Sequence, residues 1–123
     1  MLVNYVFDEN LRGVPWQAVQ RHNRSSPYPV DVIRVGDSPD LPLRMPDPDI
    51  LRWAERACRI VVTLDISTFP VHLARHLEDG GHCPGVFIIT GWVSIDTIVD
   101  FLVVAAYASD PEEWRDCIVH ITD

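Results

Sequence analysis

Hydrophobic and polar positions follow two alternating patterns along the chain. Short apolar runs rich in β-branched and aromatic residues predict strands, and the run at residues 60–64 has only Thr63 as a polar member. A nearly continuous apolar run of this kind is typical of a strand buried on both faces of a parallel sheet. The predicted strands cover residues 2–7, 30–35, 60–64, 86–90 and 117–121.

Between the strands, apolar residues recur with helical spacing, as Ile50, Ala54 and Ala57 do in the second such segment. Helices are predicted at residues 11–23, at 47–58, from 67 or 68 to about 78, and at 94–108, with a short helical turn at 111–114. Strands that alternate with helices form right-handed βαβ units. We therefore expect an α/β fold with a single domain over residues 1–123, built as a three-layer α/β/α sandwich with a mostly parallel five-stranded sheet.

Length, composition and cysteine content indicate one folded cytoplasmic domain. The 123 residues are 47% hydrophobic, which is enough to bury a core. The longest apolar stretch, residues 95–108, contains two aspartates and is shorter than the about 20 residues that span a bilayer. The N-terminus lacks a signal-peptide pattern, and three cysteines without a CxxC spacing fit reduced thiols. We therefore expect a cytoplasmic protein without membrane contact.

The net negative charge comes from the C-terminal part of the chain, because charges of opposite sign balance in the rest. Ten arginines and no lysine face eighteen carboxylates, for a formal net charge of −8. Residues 1–75 hold nine carboxylates and nine arginines, whereas residues 76–123 hold nine carboxylates and one arginine. The second segment would repel nucleic acid at long range, while the arginines of the first segment could bind phosphates.

Carboxylates are expected to gather at one edge of the sheet. In open α/β sheets, ligands bind beyond the carboxyl ends of the strands. Asp8 and Glu9 follow the first predicted strand, Asp65 follows the third, and Asp47 and Asp49 stand in the first turn of the helix before it. Clustered carboxylates repel each other unless a hard cation such as Mg²⁺ or Mn²⁺ neutralises them. The alternative is that the aspartates cap the helices beside which they stand.

Other chemistries lack their sequence motifs. The chain has no GxGxxG, GxxxxGK[ST] or GxSxG pattern, which argues against dinucleotide, P-loop and serine-hydrolase sites. His72 and His76 have the spacing of helical neighbours but lack the glutamate of an HExxH motif, which predicts a surface pair. A receiver-like phosphoacceptor domain would fit Asp8, Glu9 and Asp65. Such domains use a lysine near the last strand, however, and this chain has none.

The motifs on these elements resemble a known family. VFDEN at the first strand, DPDILRWAERACRIVVTLD across the second helix and third strand, and PGVFIIT at the fourth strand are similar to the DUF5615 group of PIN-like proteins. The resemblance covers nearly the whole chain. The group is related to PIN-domain ribonucleases, many of which are toxins of toxin–antitoxin pairs. The resemblance therefore implies a PIN-like fold and, as partners, RNA and an antitoxin protein.

The resemblance also implies a site and a reaction. Asp8 fills the first acidic position, Asp49 or its neighbour Asp47 fills the helix-start position, and Asp65 fills the position after the third strand. These carboxylates would bind Mg²⁺ or Mn²⁺, which assists the hydrolysis of RNA phosphodiesters. PIN nucleases place a further acidic residue on a helix between the first and third positions, and here Glu9 is the substitute for it.

Further residues receive supporting roles from the same resemblance. Ser67 stands where the family frequently has a second aspartate after the third strand. Arginines can bind phosphates, and polar side chains beside a cation site can orient its ligands or the substrate. Hydrogen bonds around the site are expected from Asn10, Thr63, Ser67 and Thr68, and phosphate contacts from Arg12 and Arg44.

A catalytically weak or inactive PIN-like module is the alternative function. The helix predicted at residues 94–108 is apolar nearly all round, and such a helix is either buried in a core or shared with another chain. We therefore expect a homodimer or a partner contact through this helix, with Trp92 and Trp114 beside it. The competing arrangement packs the helix under the acidic C-terminal segment.

Overall fold

The computed structural model describes residues 2–123 and contains one parallel sheet between helices. Its strands are β1 (Tyr5–Phe7), β2 (Val32–Arg34), β3 (Ile60–Thr63), β4 (Val86–Ile89) and β5 (Ile118–Ile121). Its helices are α1 (Val14–Ser25), α2 (Asp47–Ala57), α3 (Phe69–Glu78) and α4 (Ile95–Ala108), with 3₁₀ turns at Glu9–Leu11 and Pro111–Trp114. The strand order is β2-β1-β3-β4-β5, and every pairing is parallel. The predicted α/β fold with five strands is confirmed.

Two apolar layers pack against the two faces of the sheet. Alternate side chains of β1 divide between them: Tyr5 and Phe7 join the layer under α1 and α4, and Val6 joins the layer under α2 and α3. All four residues of β3 are buried. The prediction that this strand is buried on both faces is therefore confirmed, and its carboxyl end is held rigidly beside that of β1.

The first predicted helix is divided in two. A 3₁₀ turn follows β1 directly, and α1 begins only at Val14, with Gly13 at its N-cap and Pro15 in its first turn. Proline has no backbone N–H to donate, so it fits the first turn of a helix and not its interior. Leu11 and Val14 therefore belong to separate helical segments, and Asp8 stands at the start of the first of them.

Helix α4 buries most of its apolar surface against its own chain. Its inward side chains contact the sheet and α1, and the exposed positions are Asp96, Asp100, Val104, Tyr107 and Ala108. Trp114 stacks edge-on against Phe87 with ring centroids 5.1 Å apart, so it too belongs to the core. The outward face therefore carries two aspartates at its N-terminal end and Val104, Tyr107 and Ala108 at its C-terminal end, and a homodimer through residues 94–108 stays a prediction. None of the described helices is long and apolar enough to cross a lipid bilayer.

A buried hydrogen bond ties α4 to β1. The Tyr5 hydroxyl donates to the carbonyl oxygen of Leu102 at 2.6 Å, and burial raises the pKa of the Tyr5 phenol above its ordinary value. We expect Tyr5→Phe to lower the free energy of unfolding by about 0.5–1.5 kcal/mol, because a buried hydrogen bond is lost. Urea unfolding with an unchanged slope would measure it. Tyr107→Phe, which removes an exposed bond to Pro29, is the control, and a loss as large as that of Tyr5→Phe would contradict the role of burial.

Candidate functional site

Thr63 joins the carboxyl ends of the two central strands. Its hydroxyl donates to Oδ2 of Asp8 at 2.8 Å and accepts a hydrogen bond from the backbone N–H of Asp65 at 3.0 Å. Thr63 is fully buried, and Asp8 is 9% exposed. The predicted convergence of Asp8 and Asp65 at one edge follows from the parallel pairing of β1 with β3. Thr63, expected to support the site, lies between them.

Asp8 is also the cap of the 3₁₀ turn that follows β1. Its Oδ1 accepts a hydrogen bond from the backbone N–H of Glu9 at 2.7 Å. Both carboxylate oxygens thus have one protein donor, and each oxygen keeps a further lone pair for a cation or a water molecule. The capping interpretation and the ligand interpretation are therefore compatible for this residue.

Asp65 organises the turn from β3 into α3. Its Oδ1 accepts hydrogen bonds from the backbone N–H groups of Ser67, at 3.0 Å, and Thr68, at 2.9 Å, and its Oδ2 accepts one from the Thr68 hydroxyl. The hydroxyl and amide donors of Thr68 are the main causes that lower the pKa of Asp65. These hydrogen bonds favour the ionised form of Asp65, and Ser67 and Thr68 are its direct hydrogen-bond donors.

Asp47 lies beside these two carboxylates, whereas Asp49 does not. Burial raises the pKa of Asp47, and the negative charges of Asp8 and Asp65 raise it further. Asp49, two residues later on α2, forms an exposed ion pair with Arg52 instead. Of the two helix-start candidates, the structure brings Asp47 to the site. We call Asp8, Asp47 and Asp65 the acidic edge.

His72 is a neighbour of the acidic edge that the sequence motifs did not single out. Its charge lowers the pKa of Asp47, and its Nδ1 atom is buried without a hydrogen-bond partner among the described residues. The prediction of a surface pair is wrong: His72 and His76 are both partly buried, and His76 instead contacts Glu55 at 2.8 Å. The available signal was the four-residue spacing from Thr68, which places His72 on the same side of α3.

The remaining predicted residues hold the loop after β2. Oε1 of Glu9 accepts a hydrogen bond from the backbone N–H of Arg44 at 2.6 Å, so the Glu9 carboxylate anchors this loop. Arg12 donates to the carbonyl oxygen of Val35 at 2.5 Å and lies 3.4 Å from a carboxylate oxygen of Asp37. The side chains of Glu9 and Arg12 therefore have structural partners, whereas Arg44 contributes only its backbone N–H. Asn10 is exposed at the same edge.

The donors at the acidic edge fit a hard divalent cation by type. All are oxygens, three of them are carboxylates, and their mutual repulsion is what a cation would relieve. Within residues 2–123, no group of three or more His, Cys, Asp or Glu side chains is spaced to share a metal ion. Mg²⁺, however, usually keeps several water ligands and binds through one or two carboxylates. The arrangement therefore suits a cation held directly by one or two aspartates and through water by the others.

A cavity of about 460 Å³ opens at the opposite, amino-terminal edge of the sheet. Its lining is mainly apolar and includes Cys58 and Cys83, and Glu55, His82, Glu112 and Arg115 also border it. Burial raises the pKa of the Cys83 thiol to about 11, so this thiol stays protonated and unreactive. We assign the chemistry to the acidic edge instead, because three aspartates come together there at the carboxyl ends of β1 and β3.

Comparison of the chain with protein-family models, with curated proteins and with solved structures finds no match.

Proposed function

We propose that the protein is a Mg²⁺- or Mn²⁺-dependent phosphodiesterase that hydrolyses RNA at the acidic edge. The observation that supports this function most directly is that Thr63 joins Asp8 and Asp65 at the carboxyl ends of β1 and β3, with Asp47 close enough for their charges to raise its pKa. Ionised carboxylates that destabilise one another are a common sign of a functional site. The resemblance of the sequence to PIN-like nucleases supports RNA as the substrate, and a role as the toxin of a toxin–antitoxin pair stays a prediction.

The three aspartates are suited to different tasks. A bound divalent cation would activate a water molecule and polarise the phosphate. Asp65, which its hydrogen bonds keep ionised, and Asp8, which Thr63 fixes in place, are the direct ligands in this proposal. Asp47 orients the attacking water, and Thr63 and Thr68 keep the ligands aligned.

Mn²⁺ binding measured by calorimetry tests the cation site. We expect Asp65→Asn and Asp8→Asn to weaken binding at least tenfold, because each substitution removes a charged ligand. Asp49→Asn is the matched control: it removes the same charge from the same edge, but Asp49 pairs with Arg52 outside the cluster. Equal weakening by Asp49→Asn would show that general surface charge, and not the acidic edge, attracts the ion.

The same variants then enter a cleavage assay with labelled single-stranded RNA. Wild type and Asp49→Asn should cleave RNA in Mn²⁺ and stop when the cation is chelated, whereas Asp65→Asn should be inactive. Mn²⁺ binding without any cleavage would reject the nuclease and leave a cation-binding protein.

An inactive PIN-like module is the second candidate function. It is favoured by Trp92, which is 83% exposed in the loop after β4, because an exposed tryptophan is a common anchor for a protein partner. Wild-type protein that binds no Mn²⁺ at millimolar concentration would reject the enzyme and favour this module.

A further inference from the structure

Four of the ten arginines form ion pairs with carboxylates in residues 2–123, and the pairs use Arg12, Arg34, Arg52 and Arg59. Arg21 and Arg24, on α1, have no carboxylate within 4.0 Å among the described residues, and both are exposed. A guanidinium without a carboxylate partner keeps its donors for a phosphate. Helix α1 therefore presents two unpaired cations in a protein whose net charge is −8.

The side chains around these arginines form an open groove along the surface of α1. A surface cavity of about 390 Å³ is lined by five residues, all of them on α1: Trp16, Gln17, Gln20, Arg21 and Arg24. Their spacing places them on one face of the helix, where Gln17, Arg21 and Arg24 are exposed and Trp16, at the border of this face, also packs against the core. From Trp16 to Arg24 this face is about 12 Å long at the rise of an α-helix. No carboxylate lines this groove.

The groove begins at the same edge of the sheet as the acidic edge. The guanidinium of Arg34 lies 4.0 Å from the centre of the Trp16 ring, which fixes the first turn of α1 against the end of β2. Arg34 is in register with Phe7, the residue before Asp8. The groove thus runs from the neighbourhood of Asp8 along α1 toward the opposite edge of the sheet.

We propose that this groove binds the phosphate backbone of a single-stranded RNA and leads it to the acidic edge. Arg21 and Arg24 contact phosphates, and the amides of Gln17 and Gln20 can donate to and accept from ribose 2′-hydroxyls or base edges. A positively charged groove that tracks the backbone is the form that proteins use to follow one strand. The inference rests on the proposed function for the cleavage at its end, but the binding it describes needs no cation and no hydrolysis.

Binding of a labelled oligouridylate, followed by fluorescence anisotropy in excess chelator, tests the groove. We expect the double variant Arg21→Glu/Arg24→Glu to bind at least tenfold more weakly than wild type. The matched control is Arg56→Glu/Arg75→Glu, which changes the net charge by the same amount on α2 and α3. Both of those arginines are exposed and have no carboxylate within 4.0 Å among the described residues. Equal losses in the two double variants, or no binding by wild type, would overturn the proposal.

The salt dependence gives a second readout that misfolding cannot imitate. Each phosphate contact on a single strand adds about 0.7 to the slope of log affinity against log salt concentration. Arg21→Ala/Arg24→Ala should therefore reduce the slope by about 1.4, and an unchanged slope would overturn the proposal. RNA binding through α1 in a protein that never cleaves RNA would reject the proposed function alone. Cleavage with binding unaffected by the α1 variants would reject the groove alone.

Discussion

Replacing Asp47 by asparagine is expected to stabilise the folded protein at neutral pH and, at the same time, to weaken cation binding and abolish RNA cleavage. The pKa of Asp47 is raised by burial and by the charges of Asp8 and Asp65, so its ionised form is less favourable in the folded state than in the unfolded state. Removing that charge should raise the free energy of unfolding by less than about 1 kcal/mol, because Asp47 is only partly buried and water screens its charge. Few substitutions outside a functional site raise stability and remove activity together.

The pH dependence identifies the cause of this stabilisation. Between the ordinary pKa of the carboxyl and its raised folded value, the folded state binds more protons than the unfolded state, so wild type loses stability as the pH rises through that window. The penalty is complete above the window and absent below it, where Asp47 is neutral in both states. Asp47→Asn should therefore stabilise the protein at pH 7 and have almost no effect at pH 3.

Thermal unfolding at the two pH values, beside the calorimetric titration, measures both effects. Asp49→Asn is again the control, because Asp49 is exposed and pairs with Arg52. It should change stability by less than about 0.5 kcal/mol at either pH. An Asp47→Asn protein that is less stable than wild type at pH 7 would mean that its carboxylate makes favourable interactions and is not strained by its neighbours.

The second large effect concerns the core. Phe87→Ala should lower the free energy of unfolding by about 3–5 kcal/mol, because it removes a fully buried ring and leaves a cavity. Phe87 lies at the centre of an aromatic cluster, with ring centroids 6.0 Å from Tyr5, 5.2 Å from Phe101 and 5.1 Å from Trp114. The Phe87→Ala substitution therefore removes aromatic contacts that β4 makes with three other elements: β1, α4 and the 3₁₀ turn before β5.

Urea unfolding measures this loss where the variant still folds. Since small domains have only about 5–15 kcal/mol in total, Phe87→Leu should be made in parallel, with an expected loss of about 1–2 kcal/mol. Val104→Ala, on the exposed face of α4, is the surface control. A Phe87→Leu protein as stable as this control would show that the aromatic cluster contributes little.

The fold could be predicted because local signals and the tertiary structure agree. The apolar run of β3 is consistent with burial on both faces, and the segments between strands have helical spacing. The convergence of Asp8 and Asp65 also follows from the sequence, because parallel strands bring their carboxyl ends together. The choice between Asp47 and Asp49 does not follow from it. Side chains two positions apart on a helix point about 200° away from each other. Which of these two aspartates faces the sheet edge therefore depends on how α2 packs.

The groups that Arg12 and His72 contact or face could not be predicted from the sequence either. Arg12 is close to the acidic motif in the chain, yet it contacts the carbonyl oxygen of Val35, which lies 23 positions away. His72 gains its significance from Asp47, which comes from a different helix. Such contacts depend on the packing of loops and helices and leave no periodic pattern. The sequence therefore predicted the sheet edge at which the candidate site lies more completely than the set of residues that form it.

The hydrogen bond between Asp8 and Thr63 joins residues that are 55 positions apart in the chain. During synthesis the first strand emerges early, but its neighbours β2 and β3 follow only later, and β3 must pair before the two carboxyl ends meet. A ribosome-bound chain that stops before Thr68 thus lacks Asp65's donors and cannot assemble the acidic edge. In the proposed function, cleavage of RNA therefore becomes available only after more than half of the chain has been synthesised.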